Sequence, residues 1–263
     1  MNSTKTDLVI DQGNSACKWA FFESTPKAKL DIAGYAGLDP MAVLYTHHPD
    51  ELLTEETFDQ FKPRAAIYSS VLNHSDDSKY EAIKQKIALC CRFDTTTTPI
   101  PIKNNYSQPA KLGADRLAAA VGAWTLAPGK SSFIVDLGTA ITYDLLSAEG
   151  VYEGGNIAPG IFLRTKALHE NTKALPLPEM PIGDFPEFGK DTVSAIKAGV
   201  LQGILHEING YILQHQQNHP ELLTFLTGGD LIYFVRKLKS GIFARPNLVL
   251  TGLHRILIDY VNS

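Results

Sequence analysis

The sequence predicts an α/β chain made of two related halves, and three observations predict it. Phe133 to Asp144, Phe-Ile-Val-Asp-Leu-Gly-Thr-Ala-Ile-Thr-Tyr-Asp, is a β-prone run broken by an Asp-x-Gly-Thr turn and resumed beyond it. The same device stands near the start as Leu8-Val-Ile-Asp-Gln-Gly-Asn-Ser-Ala-Cys-Lys18. There Asp11 takes the place of Asp136, Gly13 of Gly138 and Asn14 of Thr139, all at an offset of 125 residues (136 − 11). Around both turns β-rich runs alternate with helical patterns, which implies parallel strands joined by helices. Two copies in register read as an internal duplication, with halves 1–127 and 128–263 divided at Pro128-Gly129. Each turn gathers oxygens and main-chain N–H groups at one point, which suits a phosphate and its cation. Gly138 is expected to hold a backbone conformation that a Cβ would penalise, and the two turns to face each other across a cleft. A single Asp-x-Gly hairpin needs no ligand; it is the repeat that favours one.

In chain order, Leu8 to Asp11 and Ala16 to Phe22 form the first hairpin, with a third strand at Leu30 to Tyr35. Leu52, Leu53, Phe58 and Phe61 give Pro49 to Phe61 a helical spacing, and Ala65 to Leu72 is β-rich. Asp76 to Leu89 reads as a further helix, whereas four Thr and two Pro make Thr95 to Pro101 irregular. A polar loop then leads through Asn105, Tyr106 and Gly113 into an Ala-rich helix that begins at Asp115. An acid there is favoured by the helix dipole and the free N–H groups, so it should stay ionised, and as an N-cap it would need no further role. Arg116 gains nothing from the dipole and is expected to pair with an acid or a bound anion.

In the second half Gly150, Gly154, Gly155, Pro159 and Gly160 bracket short β segments and a turn, Ile161 to Leu168 is helical and Pro176 to Gly189 is a Pro-rich loop. Thr192, an N-cap candidate, opens the longest helix, with apolar residues at a 3.6 period from Val193 to Ile212. Tyr211, Ile212 and Leu213 leave more apolar surface at its end than one core face uses. Leu222 to Leu226 runs as a strand into Thr227-Gly-Gly-Asp230, and a strand at Asn247 to Leu250 with a helix at Leu253 to Val261 completes the chain.

The 263 residues suffice for two cores, and a net charge of −4 without a long basic run argues against a nucleic-acid partner. No apolar stretch of about 18 residues is present, and the first residues lack a signal-peptide core, so a cytoplasmic protein without a membrane partner is expected. Cys17, Cys90 and Cys91 suggest neither a disulfide framework nor a metal knuckle, and His47-His48 reads as a solvated loop pair.

Five motifs in order carry a resemblance that covers nearly the whole length: Asp11-Gln-Gly-Asn-Ser; Asn105-Tyr106 with Leu112-Gly-Ala-Asp-Arg-Leu117; Asp136-Leu-Gly-Thr-Ala-Ile-Thr-Tyr-Asp144; Gly154-Gly-x-Ile-x-Pro-Gly160; and Thr227-Gly-Gly. The chain resembles the sugar kinase, Hsp70 and actin superfamily, and more closely the type III pantothenate kinases. The resemblance implies a duplicated actin-like (ribonuclease H-like) two-domain ATPase fold with the active site in the interdomain cleft. It further implies an ATP-dependent phosphotransferase that converts pantothenate to 4'-phosphopantothenate, the first step of coenzyme A biosynthesis. On that resemblance Asp11, Gln12, Gly13, Asn14, Ser15, Ala16, Cys17 and Lys18 form the phosphate segment that contacts ATP, and Thr139 is a second ATP contact. Asp136 resembles the ligand for a monovalent cation, K+ or NH4+, with Mg2+ accompanying the nucleotide. Tyr106, Gly113, Ala114, Asp115, Arg116 and Thr192 are similar to pantothenate-contacting positions, Asp115 being the proton acceptor. Thr227, Gly228 and Gly229 match the stretch near the adenosine, and the family implies a homodimer. Ser15 stands where Thr is common, Lys18 is basic where many relatives are not, and Thr251 stands where Glu is frequent. Two alternatives share the fold: an ATP-binding regulator without catalysis, and a phosphatase that needs no acceptor.

Overall fold

A computed structural model gives the structure of the chain and describes residues 5–13, 16–24, 39–46, 52, 54–71, 78–180, 184–238 and 241–262. The chain splits into two compact units. The first gathers Met1–Gly129, Leu146–Glu153 and Asn247–Ser263; the second gathers Lys130–Leu145 and Gly154–Pro246.

In the first unit β1 (Thr6–Gln12) and β2 (Cys17–Glu23) are antiparallel, with Asp11 opposite Lys18. β3 (Ala42–Thr46) flanks β2, while β4 (Pro63–Ser70) runs parallel to β1 and β5 (Leu89–Arg92) parallel to β4. The sheet order is therefore β3-β2-β1-β4-β5. Every residue of β1 is buried, as a continuous apolar run in a strand covered on both faces should be. Leu8 and Ile10 pack with Trp19, Phe21, Ala66 and Tyr68, and with Ile83 of α2 (Ser78–Lys86), which follows the short α1 (Glu55–Phe61). Against β1 and β4 lies α6 (Leu248–Val261), which in turn packs on α3 (Ala114–Leu126). The two helices meet backbone to backbone: a Cβ on Gly252 would lie within 3.0 Å of Ala118 O and of Gly122 N. Fully buried Asp7 ties β1 to this layer, accepting a hydrogen bond from Arg64 Nε at 2.9 Å and facing His254 Nε2 at 3.3 Å. β6 (Lys103–Asn104) pairs in parallel with Val151 and Tyr152.

The second unit contains β7 (Ser132–Leu137), β8 (Ala140–Leu146), most of β9 (Val151–Pro159), β10 (Leu223–Thr227) and β11 (Ile242–Ala244), ordered β11-β10-β7-β8-β9. β10 is parallel to β7, which sets Thr227 beside Asp136. Phe133, Val135, Leu137, Ile141 and Tyr143 pack on Val200, Leu201, Ile204 and Ile208 of α5 (Thr192–Asn218); α4 (Ile161–Glu170) contributes Ile161.

Several expectations are corrected. The strand expected at Asn247 to Leu250 is the first turn of α6, because its apolar run is buried by helix packing on α3 rather than by a ladder. Gly154 and Gly155 do not separate short segments; β9 passes through both. The helix expected to reach Leu89 ends at Lys86, and Leu89 opens β5, an unforeseen strand, as β3 and β11 also are. Tyr211 and Ile212 pack against the Phe133 cluster, so only Leu213 of that trio is exposed. The expected strand at Leu30 to Tyr35 and the pair His47-His48 lie outside the described residues. Among the described residues no helix is long and apolar enough to cross a membrane.

Candidate active site

In the first unit the site begins where β1 and β4 end. Asp11 and Ser69 are register neighbours on the parallel strands, and the turn after Gln12 is closed by Gly13 N–H donating to Ala16 O at 3.0 Å. Asn14 and Ser15 lie outside the described residues. Asp11 Oδ1, Gln12 Oε1 and Ser69 Oγ are buried there without a hydrogen-bond partner. Leaving such groups unsatisfied costs about 1–3 kcal/mol each, so three at adjacent strand ends mark a place that a ligand's donors or a cation complete. Burial lifts the Asp11 carboxyl to about 6, the Lys18 ammonium opposes the rise, and the negative charge of Asp115 adds to it. Ser69 is a site residue that the motifs did not single out; the Ser-Ser pair ending an otherwise apolar strand was its one visible sign.

Asp115 belongs to the same unit. Its carboxylate folds back over Gly113, where a Cβ would sit 2.5 Å from Oδ1, and it accepts the Arg116 N–H at 2.8 Å. Two expectations are overturned here. The N-cap of α3 is Gly113, so Asp115 stands in the first turn of the helix rather than at its cap, although its carboxylate still satisfies a first-turn N–H. Its pKa is raised, because burial outweighs the N–H groups and the Arg116 charge that lower it. The dipole argument placed that balance the other way because it ignored desolvation. Arg116 is buried, with its guanidinium 5.8 Å from the Tyr106 ring centre, and Asn104 Oδ1 fixes Tyr106 by accepting its N–H at 3.0 Å. Beside Gly113 and Ala114 opens a cavity of about 850 Å³, lined also by Ser70, Arg92, Asp94 and Lys111.

In the second unit Asp136 and Thr139 sit in the β7–β8 turn, where Gly138 N–H donates to Ala140 O at 3.2 Å. Gly138 is not in the left-handed region, and a Cβ there would make ordinary contacts, 3.5 Å to Ala140 O. The expected conformational demand falls instead on Gly228, at φ 91°. Thr192 is the first residue of α5, but the cap is Asp191, whose carboxylate accepts Ser194 N–H at 2.9 Å in a capping box. Thr192 lines an apolar groove of about 940 Å³ that runs between α4 and α5 from Pro159.

The structure thus places Asp11, Gln12, Gly13, Ala16, Cys17, Lys18, Tyr106, Gly113, Ala114, Asp115 and Arg116 in the first unit, and Asp136, Thr139 and Thr192 in the second.

A sequence profile described as type III pantothenate kinase matches residues 7–214. The chain is 40% identical to a type III pantothenate kinase of Bacteroides fragilis over 98% of this chain and 99% of the relative. It is 43% identical to one of Porphyromonas gingivalis over 95% of this chain and 97% of the relative. The chain belongs to the type III pantothenate kinase family. Solved structures share the fold of this family member. A conserved protein of Campylobacter jejuni described as a Baf family transcriptional activator aligns with TM-score 0.60 at 21% identity, over 97% of this chain and all of the other. An activator of the 2-hydroxyisocaproyl-CoA dehydratase of Clostridium difficile, with bound ADPNP, aligns with TM-score 0.51 at 12% identity, over 98% and 96%. Burial pushes the Cys17 thiol up to about 12, so it stays protonated at neutral pH.

Proposed function

We infer that the chain transfers the γ-phosphoryl group of ATP to the primary hydroxyl of pantothenate, giving 4'-phosphopantothenate and ADP. Family membership over nearly the whole chain is the observation that carries this reading. Phosphoryl transfer depends on alignment and charge neutralisation more than on covalent participation. Asp115 accepts the hydroxyl proton as the oxygen bonds to the γ-phosphorus and the bond to the β-phosphate oxygen breaks. Burial raises the basicity of its carboxylate, which suits a proton acceptor near neutral pH. Tyr106, Gly113, Ala114 and Arg116 hold the acceptor, whose chain extends into the neighbouring cavity, and Arg116 offers a planar donor fork to its carboxylate or to a phosphate. Thr192 is a further pantothenate contact.

The phosphate segment runs from Asp11 to Lys18, and Thr139 meets the nucleotide from the second turn. The unpartnered oxygens of Asp11, Gln12 and Ser69 suit water-bridged Mg2+. Asp136 is the ligand for K+ or NH4+, an oxygen donor beside the main-chain carbonyls of its own turn. These cations neutralise phosphate charge when bound. We place two copies of the chain in the working molecule, supported by the apolar α4–α5 groove with exposed Leu163 and Leu168 in its lining. Sedimentation giving a fully active monomer would remove that part. No observation favours a nucleic-acid partner for a chain of net charge −4.

A coupled ADP assay against a panel of small hydroxy acids, with and without potassium, tests the reading. ADP release that requires pantothenate is the expected result; equal release without any acceptor would favour the phosphatase alternative, and nucleotide binding without turnover the regulator.

A further inference from the structure

The turn that carries Asp136 and Thr139 is not shaped by its own glycine. Gly138 has room for a Cβ, with its nearest neighbours at 3.5 Å and 4.0 Å. Two glycines remote in sequence do not. A Cβ on Gly160, the N-cap of α4, would lie 2.6 Å from Thr139 O and closer still to Gly138 O. One on Gly228, at the end of β10, would lie 2.5 Å from Asp136 Oδ1 and closer to Leu137 O. Together the two positions press on every residue from Asp136 to Thr139, and Gly160 N–H also donates to Thr139 O at 3.0 Å. These neighbours are mostly backbone, which cannot swing aside as a flexible side chain would. Either the β7–β8 turn or the backbone that carries the added Cβ therefore has to move, and their spacing changes in both cases.

We propose that Gly160 and Gly228 are positioning residues, whose missing side chains set where the Asp136 carboxylate and the Thr139 backbone stand for the cation and the ATP phosphates. The proposal rests on the assignment of that turn to cation and nucleotide. Gly160 is the cleaner probe, because its φ of −74° is open to alanine and the penalty is packing alone. Restoring contact distance requires a shift of roughly 1 Å, and a misplacement of that size can cost about 10²-fold in rate.

Gly160→Ala should raise the KM for ATP and the half-saturating potassium concentration at least about tenfold, within that range. The KM for pantothenate, whose contacts lie mainly in the first unit, should change by less than twofold, and Gly210→Ala, in open space on α5, should match the parent in all three. Asp136→Asn separates the proposal from the reading beneath it. If it leaves the potassium response intact, the assignment of the turn fails; if it removes that response while folded Gly160→Ala behaves as the parent, the positioning role fails. Gly228→Ala provides the second arm and should show the same split between ATP and pantothenate. Loss of a cooperative melt in both glycine variants, or an equal loss across all kinetic constants, would overturn the proposal in favour of a purely structural role.

Discussion

Asp11 and Asp136 each stand at the end of a strand, in an Asp-x-Gly turn with the same order of residues, yet their surroundings differ in kind. Asp11 is 7% exposed, carries a buried oxygen without a partner, and is pushed up to about 6 by burial, with the Asp115 charge adding to the rise. Asp136 is half-buried, and its turn is hemmed in by Gly160 and Gly228. The first turn is governed by charge in a desolvated pocket, the second by the space that two absent side chains leave. One short motif, repeated, has been completed by different physics in each unit, so equal substitutions at the two turns should not have equal effects.

The largest effect is expected in the first unit. Asp115→Asn keeps the shape and an oxygen for the Arg116 N–H but cannot take a proton, so kcat should fall by about 10²–10⁴. Because burial disfavours the charge it removes, melting should be unchanged or higher. A kcat within threefold of the parent in a folded variant would show that Asp115 is not the proton acceptor.

Next comes the second turn. Full exchange of potassium for sodium should lower turnover sharply in the parent and hardly at all in Asp136→Asn. Equal parental rates in the two salts would break the comparison at its steric side.

Asp11→Asn sharpens the electrostatic side, and its signs oppose one another. Since the folded-state pKa is raised above the ordinary aspartate value of 3.8, ionisation of Asp11 costs stability as pH rises from about 4 through about 6. A shift from 3.8 to about 6 corresponds to about 3 kcal/mol at most. The variant without nucleotide should therefore melt higher than the parent at pH 8, with the gain gone by pH 4, while its activity falls. A variant less stable than the parent at pH 8 would contradict the account of Asp11.

Much of this was legible in the sequence, for reasons that particular residues make plain. The two Asp-x-Gly turns and the helix from Thr192 are local patterns, and local patterns survive folding. What was not legible depends on packing. Val249 and Leu250 look equally at home in a strand or a helix, and only the approach of α6 to α3 through Gly122 and Gly252 decides between them. The direction of the Asp115 pKa shift was misjudged because a dipole can be read from position whereas burial cannot. Ser69 carries no motif of its own, and Gly160 ends a motif that does not show what the glycine faces; both matter through what lies beside them in space.

The central claim is transfer of phosphate to an acceptor, and ³¹P NMR of the protein with ATP, pantothenate, magnesium and potassium tests it most directly. A phosphomonoester resonance growing in step with ADP, without inorganic phosphate and absent when pantothenate is omitted, is the predicted spectrum. ADP accompanied by inorganic phosphate and no monoester, or an unchanged ATP spectrum, would contradict it.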